Sequence, residues 1–323
     1  MAATLYPWLL QPWKTWQQRL QSCTFAHATL VHTQQGLGTD ELVAQVAKTL
    51  MCTSSDTEPC GFCHGCELMQ SGTHPDYHEV RPEKEGKTIT VDQIRQCNRV
   101  ALESSQLSGY RLMVIEPAEA MSESAANALL KTLEEPPEKC VFVLVCHQIN
   151  LLLPTIVSRC QTINVAAPTA HQASEWVATQ LNQSIPDYAA HLHDNAPLLT
   201  LKFVESDGVK QLTTLEQAFI RSISGDVSAA VECAQLVAQE PLVRLSWLWY
   251  LMSDAQKVHF GLLAQDALPG AQALAKHLSY NTLYRQSEAL IQLKEQLRAF
   301  TGLNAELLIT QWLFNINNED SCL

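Results

Sequence analysis

Residues 111–146 read RLMVIEPAEAMSESAANALLKTLEEPPEKCVFVLVC. Two short apolar runs, Arg111–Glu116 and Cys140–Cys146, bracket a stretch of a different period. In that stretch Ala126, Leu129, Leu130 and Leu133 fall on one helical face, Ser122 stands at the N-cap position, and Pro136-Pro137 ends the helix. Runs that are apolar throughout, rather than at alternate positions, belong to strands buried on both faces. The stretch therefore predicts strand, helix, strand in an α/β fold whose parallel sheet is covered on both sides.

The same pattern extends outward. Ala28–His32 is another apolar run, followed by Thr33-Gln34-Gln35-Gly36-Leu37-Gly38. Val43, Val46, Ala47 and Leu50 then repeat at helical spacing, which gives strand, glycine turn, amphipathic helix. Val91–Leu102 reads as a further helix, and Cys52–His74 as a cysteine-rich, helix-poor insert. The character changes near Pro168. Three short helices are expected up to about Asp207, and a longer Leu- and Ala-rich helical region from Gly208 to Leu323, with no convincing strand. The expected domains are thus 1–167, 168–207 and 208–323, with the cysteine module at about 52–74.

A chain of 323 residues is long enough for two or three cores. Charged residues make up 17% and hydrophobic residues 46%, so large uncharged surfaces are expected to be covered by partners. No apolar run approaches the roughly 20 residues of a membrane span. Met1–Leu20 has neither a charged start nor a small-residue cleavage site, so no signal peptide and no membrane are expected, and the default compartment is the cytoplasm. The net charge of −12 argues against strong DNA binding by the chain alone, though not against contacts made inside a larger basic assembly.

Four of the eleven cysteines are clustered as Cys52, Cys60, Cys63 and Cys66, spaced C-x7-C-x2-C-x2-C. An odd count is a poor disulfide framework, and the other seven read as small buried hydrophobes. Four thiolates at this spacing suit tetrahedral zinc, and Gly61 and Gly65 supply the freedom that tight turns need. The expectation is one structural zinc per chain in a closed shell. Ligation by His64 or His74 and four free thiols are the alternatives. A zinc-ribbon nucleic-acid binder is a competing reading, and the acidic balance and closed shell weigh against it.

A working phosphate loop reads G-x-x-x-x-G-K-[ST]; its amides and lysine hold phosphates and its hydroxyl holds Mg²⁺. Aligned on Gly36 and Gly38, this chain has Thr33 at the first glycine, Thr39 at the lysine and Asp40 at the hydroxyl. The cation is missing, and Asp40 and Glu41 add negative charge at a helix N-terminus, where it is stabilised but repels a triphosphate. On the residues alone this is a plain glycine turn into a helix, or an unusual active loop.

The run Asn127–Pro137 (NALLKTLEEPP) and the triplet Ser158-Arg159-Cys160 after LPTIV resemble the bacterial clamp-loader ATPase family, a branch of the AAA+ proteins, almost residue for residue. Tyr6-Pro7-Trp8, the place of the cysteine insert and Phe300–Thr310 (FTGLNAELLIT) resemble it too, so the likeness runs along the whole chain. In that family the second apolar strand ends in Asp-Glu, for Mg²⁺ and the attacking water; here it ends in Glu116-Pro117. The sensor position falls at Cys146-His147, and the lid arginine at about Leu199.

The resemblance implies a RecA-like AAA+ domain with a zinc insert, a small helical lid and an all-α collar. Degenerate ATP motifs beside an intact Ser158-Arg159-Cys160 imply the family's non-hydrolysing subunit, with no ATP of its own. Arg159, with Ser158, would then serve a neighbour's ATP site; taken alone, such an arginine is an ordinary surface residue. The implied partners are ATPase (gamma/tau) subunits and a delta subunit in a hetero-pentamer that places a sliding clamp on primed DNA. An active ATPase subunit remains the alternative, opposed by Thr39, Asp40 and Pro117.

Overall fold

A computed structural model describes residues 5–22, 25–55, 57–84, 86–107, 109–300 and 302–320. The chain divides into two compact units, Met1–Ala167 and Pro168–Leu323. Cys23, Thr301 and Cys322 lie outside the described residues.

The first unit runs α1 (Leu10–Gln21), β1 (Ala28–His32), α2 (Thr39–Leu50), α3 (His64–Ser71), β2 (Tyr77–Val80), α4 (Val91–Leu102), β3 (Arg111–Ile115), α5 (Glu123–Glu134), β4 (Cys140–Cys146), α6 (Pro154–Val157) and β5 (Gln161–Asn164). The five strands form one parallel sheet in the order β2-β3-β4-β1-β5. Every residue of β4 is buried, as its unbroken apolar run requires. Leu30, Met113, Ile115, Phe142 and Leu144 pack in one cluster with Ile94 and Cys97 of α4 and Leu129 and Leu133 of α5. The residues of opposite parity, Val31, Leu112, Val114, Val143 and Val145, are equally buried, so both faces are covered. Truncating Phe142 to alanine would cost about 3–5 kcal/mol.

This topology fixes where chemistry can occur. The turns after β1, β3 and β4 all lie at the carboxyl edge of the sheet, where open α/β sheets bind ligands. Arg159 precedes β5, which runs parallel to β1 with Thr29 opposite Gln161, so Arg159 lies at the amino edge.

One buried ion pair ties the β2–β3 edge. Arg111 and Asp76 are 2% and 1% exposed and 3.0 Å apart. Burial opposes ionisation of Asp76, but N–H groups of Gln106 and Leu107 and the Arg111 guanidinium hold its carboxyl below the usual range. Arg111 also donates to the carbonyls of Val100, Glu103 and Ser104. With every group satisfied the pair is tolerable; removing one partner would cost about 3–5 kcal/mol.

The second unit holds only helices among the described residues: α7 (Ala170–Leu181), α8 (Asp187–His191), α9 (Pro197–Glu205), α10 (Gly208–Ile223), α11 (Val227–Gln239), α12 (Pro241–His259), α13 (Ala271–His277), α14 (Tyr280–Ala299) and α15 (Ala305–Asp320). Ala189, Leu192 and Phe203, from the segment before residue 208, share one core with residues of α10–α15. The Phe203 ring meets Trp247 edge-on, with centroids 5.3 Å apart. No described helix in either unit is long and apolar enough to cross a membrane.

Candidate functional site

The glycine loop begins where β1 ends. Thr33 continues the pairing of β1, its N–H donating to the Cys146 carbonyl at 3.0 Å. Gly36 and Gly38 have φ of 80° and 66°, left-handed values that only glycine adopts without strain. Gly38 turns the chain into α2, whose first turn carries Asp40 and Glu41. Two of the three positions where the loop departs from a phosphate-binding sequence meet each other: the Oγ1 atoms of Thr33 and Thr39 are 2.6 Å apart and both residues are buried. Trp8 covers the loop from the N-terminal side, its Nε1–H donating to the Leu37 carbonyl at 2.7 Å, and Tyr6 stacks on Trp8. Burial, then the charges of Glu41 and Asp40, raise the Tyr6 phenol above its usual pKa.

Glu116 lies at the same edge. Beside it Asp40, Glu41, Tyr77, Glu79 and Arg81 line a cleft of about 210 Å³, below the roughly 300–1,000 Å³ of ligand pockets. Arg81 bonds Glu116 Oε2 at 2.8 Å and Glu79 Oε2 at 3.2 Å. Burial raises the Glu116 carboxyl above its usual range, and the Arg81 charge opposes this. Among the described residues, the cation paired with this acidic group is therefore engaged within the chain. Arg81 was not singled out by sequence, because its role depends on the Glu116 carboxylate 35 residues away. Pro117 follows Glu116 and offers no carboxylate. At the sensor position, burial pushes the Cys146 thiol up to about 12, and the His147 N–H donates to Glu119 Oε1 at 2.9 Å. Leu199 lies on α9, in the second unit.

Cys52, Cys60, Cys63 and Cys66 converge, with all four Sγ atoms within 4.8 Å of one another. Neither His64 nor His74 is part of the group. Sulfurs about 2.3 Å from a tetrahedral zinc stand about 3.8 Å apart. The Cys52–Cys63 and Cys60–Cys66 separations are 3.8 and 3.9 Å. Backbone N–H groups of Thr53, Cys60, Cys63 and Cys66 point at Sγ atoms of the cluster over 3.4–3.5 Å, which suits thiolates. Burial raises the Cys63 thiol, yet the Thr53 and Cys66 donors outweigh it and bring it down to about 5; burial pushes Cys66 up to about 12. The donor set fits a single ion, and a bound dication would deprotonate all four thiols. The insert is less helix-poor than its sequence suggests, since it contains the eight-residue helix α3, N-capped by the Cys63 sulfur. Gly65 on that helix is obligatory: a Cβ there would come within 2.1 Å of the Met51 carbonyl oxygen, so the knuckle packs directly on the end of α2.

Ser158 and Arg159 follow the single turn of α6. Ser158 Oγ donates to the Thr155 carbonyl at 3.1 Å, a local cap. Arg159 donates from Nη1 to the same carbonyl at 2.8 Å and from Nη2 to Glu134 Oε1 at 2.5 Å. Its side chain is 33% exposed. About six residues of extended strand, roughly 20 Å, separate its level in the sheet from the glycine loop, further than an arginine side chain extends. Burial pushes the Cys160 thiol up to about 11, so it is protonated and inert near neutral pH.

Known proteins resemble the chain along its whole length. A family model described as DNA polymerase III, delta subunit, matches residues 10–169, and one described as DNA polymerase III, delta subunit, C terminal, matches residues 206–318. Over 320 residues the chain is 35% identical to the DNA polymerase III subunit delta' of Escherichia coli (strain K12), spanning 97% of this chain and 95% of that relative. The subunit delta' of Haemophilus influenzae is 31% identical over 323 residues, spanning 98% of each. A solved DNA polymerase III gamma subunit-related protein of Thermotoga maritima aligns with 95% of this chain and 98% of its own, at 19% identity and a TM-score of 0.44.

Proposed function

This chain belongs to the DNA polymerase III delta' family, and from that premise we propose that it is a non-hydrolysing subunit of the replicative clamp loader. It would assemble in the cytoplasm with ATPase (gamma/tau) subunits and a delta subunit, in a hetero-pentamer that places a sliding clamp on primed DNA. Residues 1–167 would be the AAA+ module, 168–207 the lid and 208–323 the collar.

The observation that carries this reading is the placement of Arg159. It lies at the amino edge of the sheet, away from the loop at the carboxyl edge, and that loop has Thr39 in place of the phosphate-binding lysine. An arginine so placed cannot serve its own loop, but it is exposed enough to meet a neighbour. A guanidinium is planar, permanently charged and bidentate toward phosphate oxygens, and supplied in trans it stabilises the charge of phosphoryl transfer. Ser158 would hold the turn that presents it. Cys52, Cys60, Cys63 and Cys66 would hold one zinc ion, whose full thiolate shell leaves no open position and supplies folding energy only.

The test is reconstitution with the ATPase and delta subunits. Arg159→Ala should leave assembly intact, lower ATP hydrolysis in part and lower clamp loading further. Arg159→Lys should rescue poorly, because an ammonium lacks the fork. Parent rates of loading by the Arg159→Ala complex would refute the trans-acting role.

A further inference from the structure

We propose that Glu134 is a positioning residue for Arg159, holding its guanidinium ready for the neighbour's nucleotide. This rests on the trans-acting reading of Arg159 given above.

Both residues stand on rigid ground. Glu134 is the last residue of α5, and Arg159 follows α6 by two positions. Beneath them Leu129, Leu133 and Ile156 are buried in one cluster, with Val157 packed against it. The end of α5 is also tied to the residue that precedes β1, through a 3.1 Å hydrogen bond between His27 Nε2 and the Leu133 carbonyl. Neither helix end can shift without disturbing the sheet core.

The charge arrangement at Glu134 runs against the local preference of a helix. A carboxylate at a helix C-terminus faces the negative end of the macrodipole, and a cation is favoured there. Glu134 is at that end, 49% exposed, with Glu135 next in sequence, so local stability gives no reason for an acid. The contact to Arg159 does give one. The Glu134 carboxylate takes one Nη and the Thr155 carbonyl takes the other, which fixes the plane of the guanidinium from two sides. Five N–H donors belong to that group, and these two bonds leave three for an incoming phosphate. An arginine already ordered loses less freedom when it engages. An exposed ion pair of this kind adds little to folding stability, so its loss should appear in function and not in the melt.

The experiment uses the full reconstituted complex with ATP sites other than the one beside this chain inactivated. Four forms are compared with the parent: E134A, E134Q, R159A and the E134A/R159A double variant. E134A should lower kcat for ATP by about 3- to 10-fold, with KM for ATP and the melting temperature of the chain unchanged. E134Q keeps an oxygen acceptor and should retain most of the rate. In the R159A background, E134A should add nothing, because it acts only through Arg159. The proposal is overturned if E134A matches the parent while R159A is defective, or if the two losses multiply. A parent rate for R159A would instead overturn the role of Arg159 itself, and the role of Glu134 with it.

Discussion

Thr33 and Thr39 close the glycine loop on itself: their hydroxyl oxygens are 2.6 Å apart, and each residue is less than a tenth exposed. In a phosphate-binding loop these are the positions of the first glycine and of the lysine. A lysine there would have to displace the hydroxyl pair and enter a buried place.

The isolated chain should therefore give no binding heat with ATP in a calorimetric titration, and no hydrolysis. Thr39→Lys should restore neither, because Asp40 still replaces the metal-holding hydroxyl and Pro117 the second carboxylate. Placing the lysine where Thr39 is buried should also destabilise the unit by about 1–3 kcal/mol, read from thermal unfolding. A micromolar ATP affinity for the parent chain would count decisively against this account of the loop.

The cysteine cluster yields a prediction of composition. Protein purified without chelators should contain about one zinc per chain by metal analysis. Serine at any two of Cys52, Cys60, Cys63 and Cys66 should abolish it. Because the sheet has its own core, the metal-free protein should keep its main unfolding transition while residues 52–74 become sensitive to protease. Zinc-free parent protein would rule the site out.

Glu216 gives a pH dependence with a definite sign. It is buried on α10, one carboxylate oxygen has no hydrogen-bond partner among the described residues, and burial pushes its pKa from 4.5 up to about 7. Between those values the folded chain holds a proton that the unfolded chain has released. Stability from this group is thus full at low pH and is lost as pH rises through about 7. Glu216→Gln, which carries no charge to bury, should stabilise the protein at pH 8 by up to about 3 kcal/mol and lose its advantage below about pH 5. Urea unfolding of both proteins at the two pH values checks this; an equal difference at both would mean that Glu216 is not the titrating group.

Where the chain is cut should matter. A fragment 1–167 keeps the whole sheet and its helices. A fragment 1–207 would carry α7–α9 without Trp247 and the other partners of Leu192 and Phe203. Limited proteolysis should trim the longer fragment back toward residue 167, and it should bind a hydrophobic dye more strongly. Equal protease resistance of the two fragments would mean that residues 168–207 fold without the long helices.

What could be read from the sequence depended on burial. β1, β4, α2 and α4 are continuous or periodic in apolar residues; the expected bounds of β1, β4 and α4 agree with the structure, and the apolar positions read for α2 fall within it. β2 (YHEV) and β5 (QTIN) went unread, because edge strands face solvent and give no apolar run. The four cysteines were legible because ligand spacing is local. The pairings of Arg81 with Glu116 and of Arg159 with Glu134 were not, since residues 35 and 25 positions apart meet only once the sheet has formed. Helix α3 was missed for a related reason: its N-cap is a cysteine sulfur, which ordinary capping preferences do not anticipate.

The strand order has a consequence for how the protein is made. β1 leaves the ribosome first, yet in the finished sheet it lies between β4 and β5, and its Ala28 pairs with Phe142, more than a hundred residues later. At about 5–20 residues per second, this apolar strand waits roughly 5–20 seconds before either neighbour exists. For that interval both of its edges are open to strands of other chains. Nascent chains paused before residue 140 should therefore be the form most dependent on chaperones, and a slow-codon cluster in that window should lower soluble yield without altering a single contact of the native state.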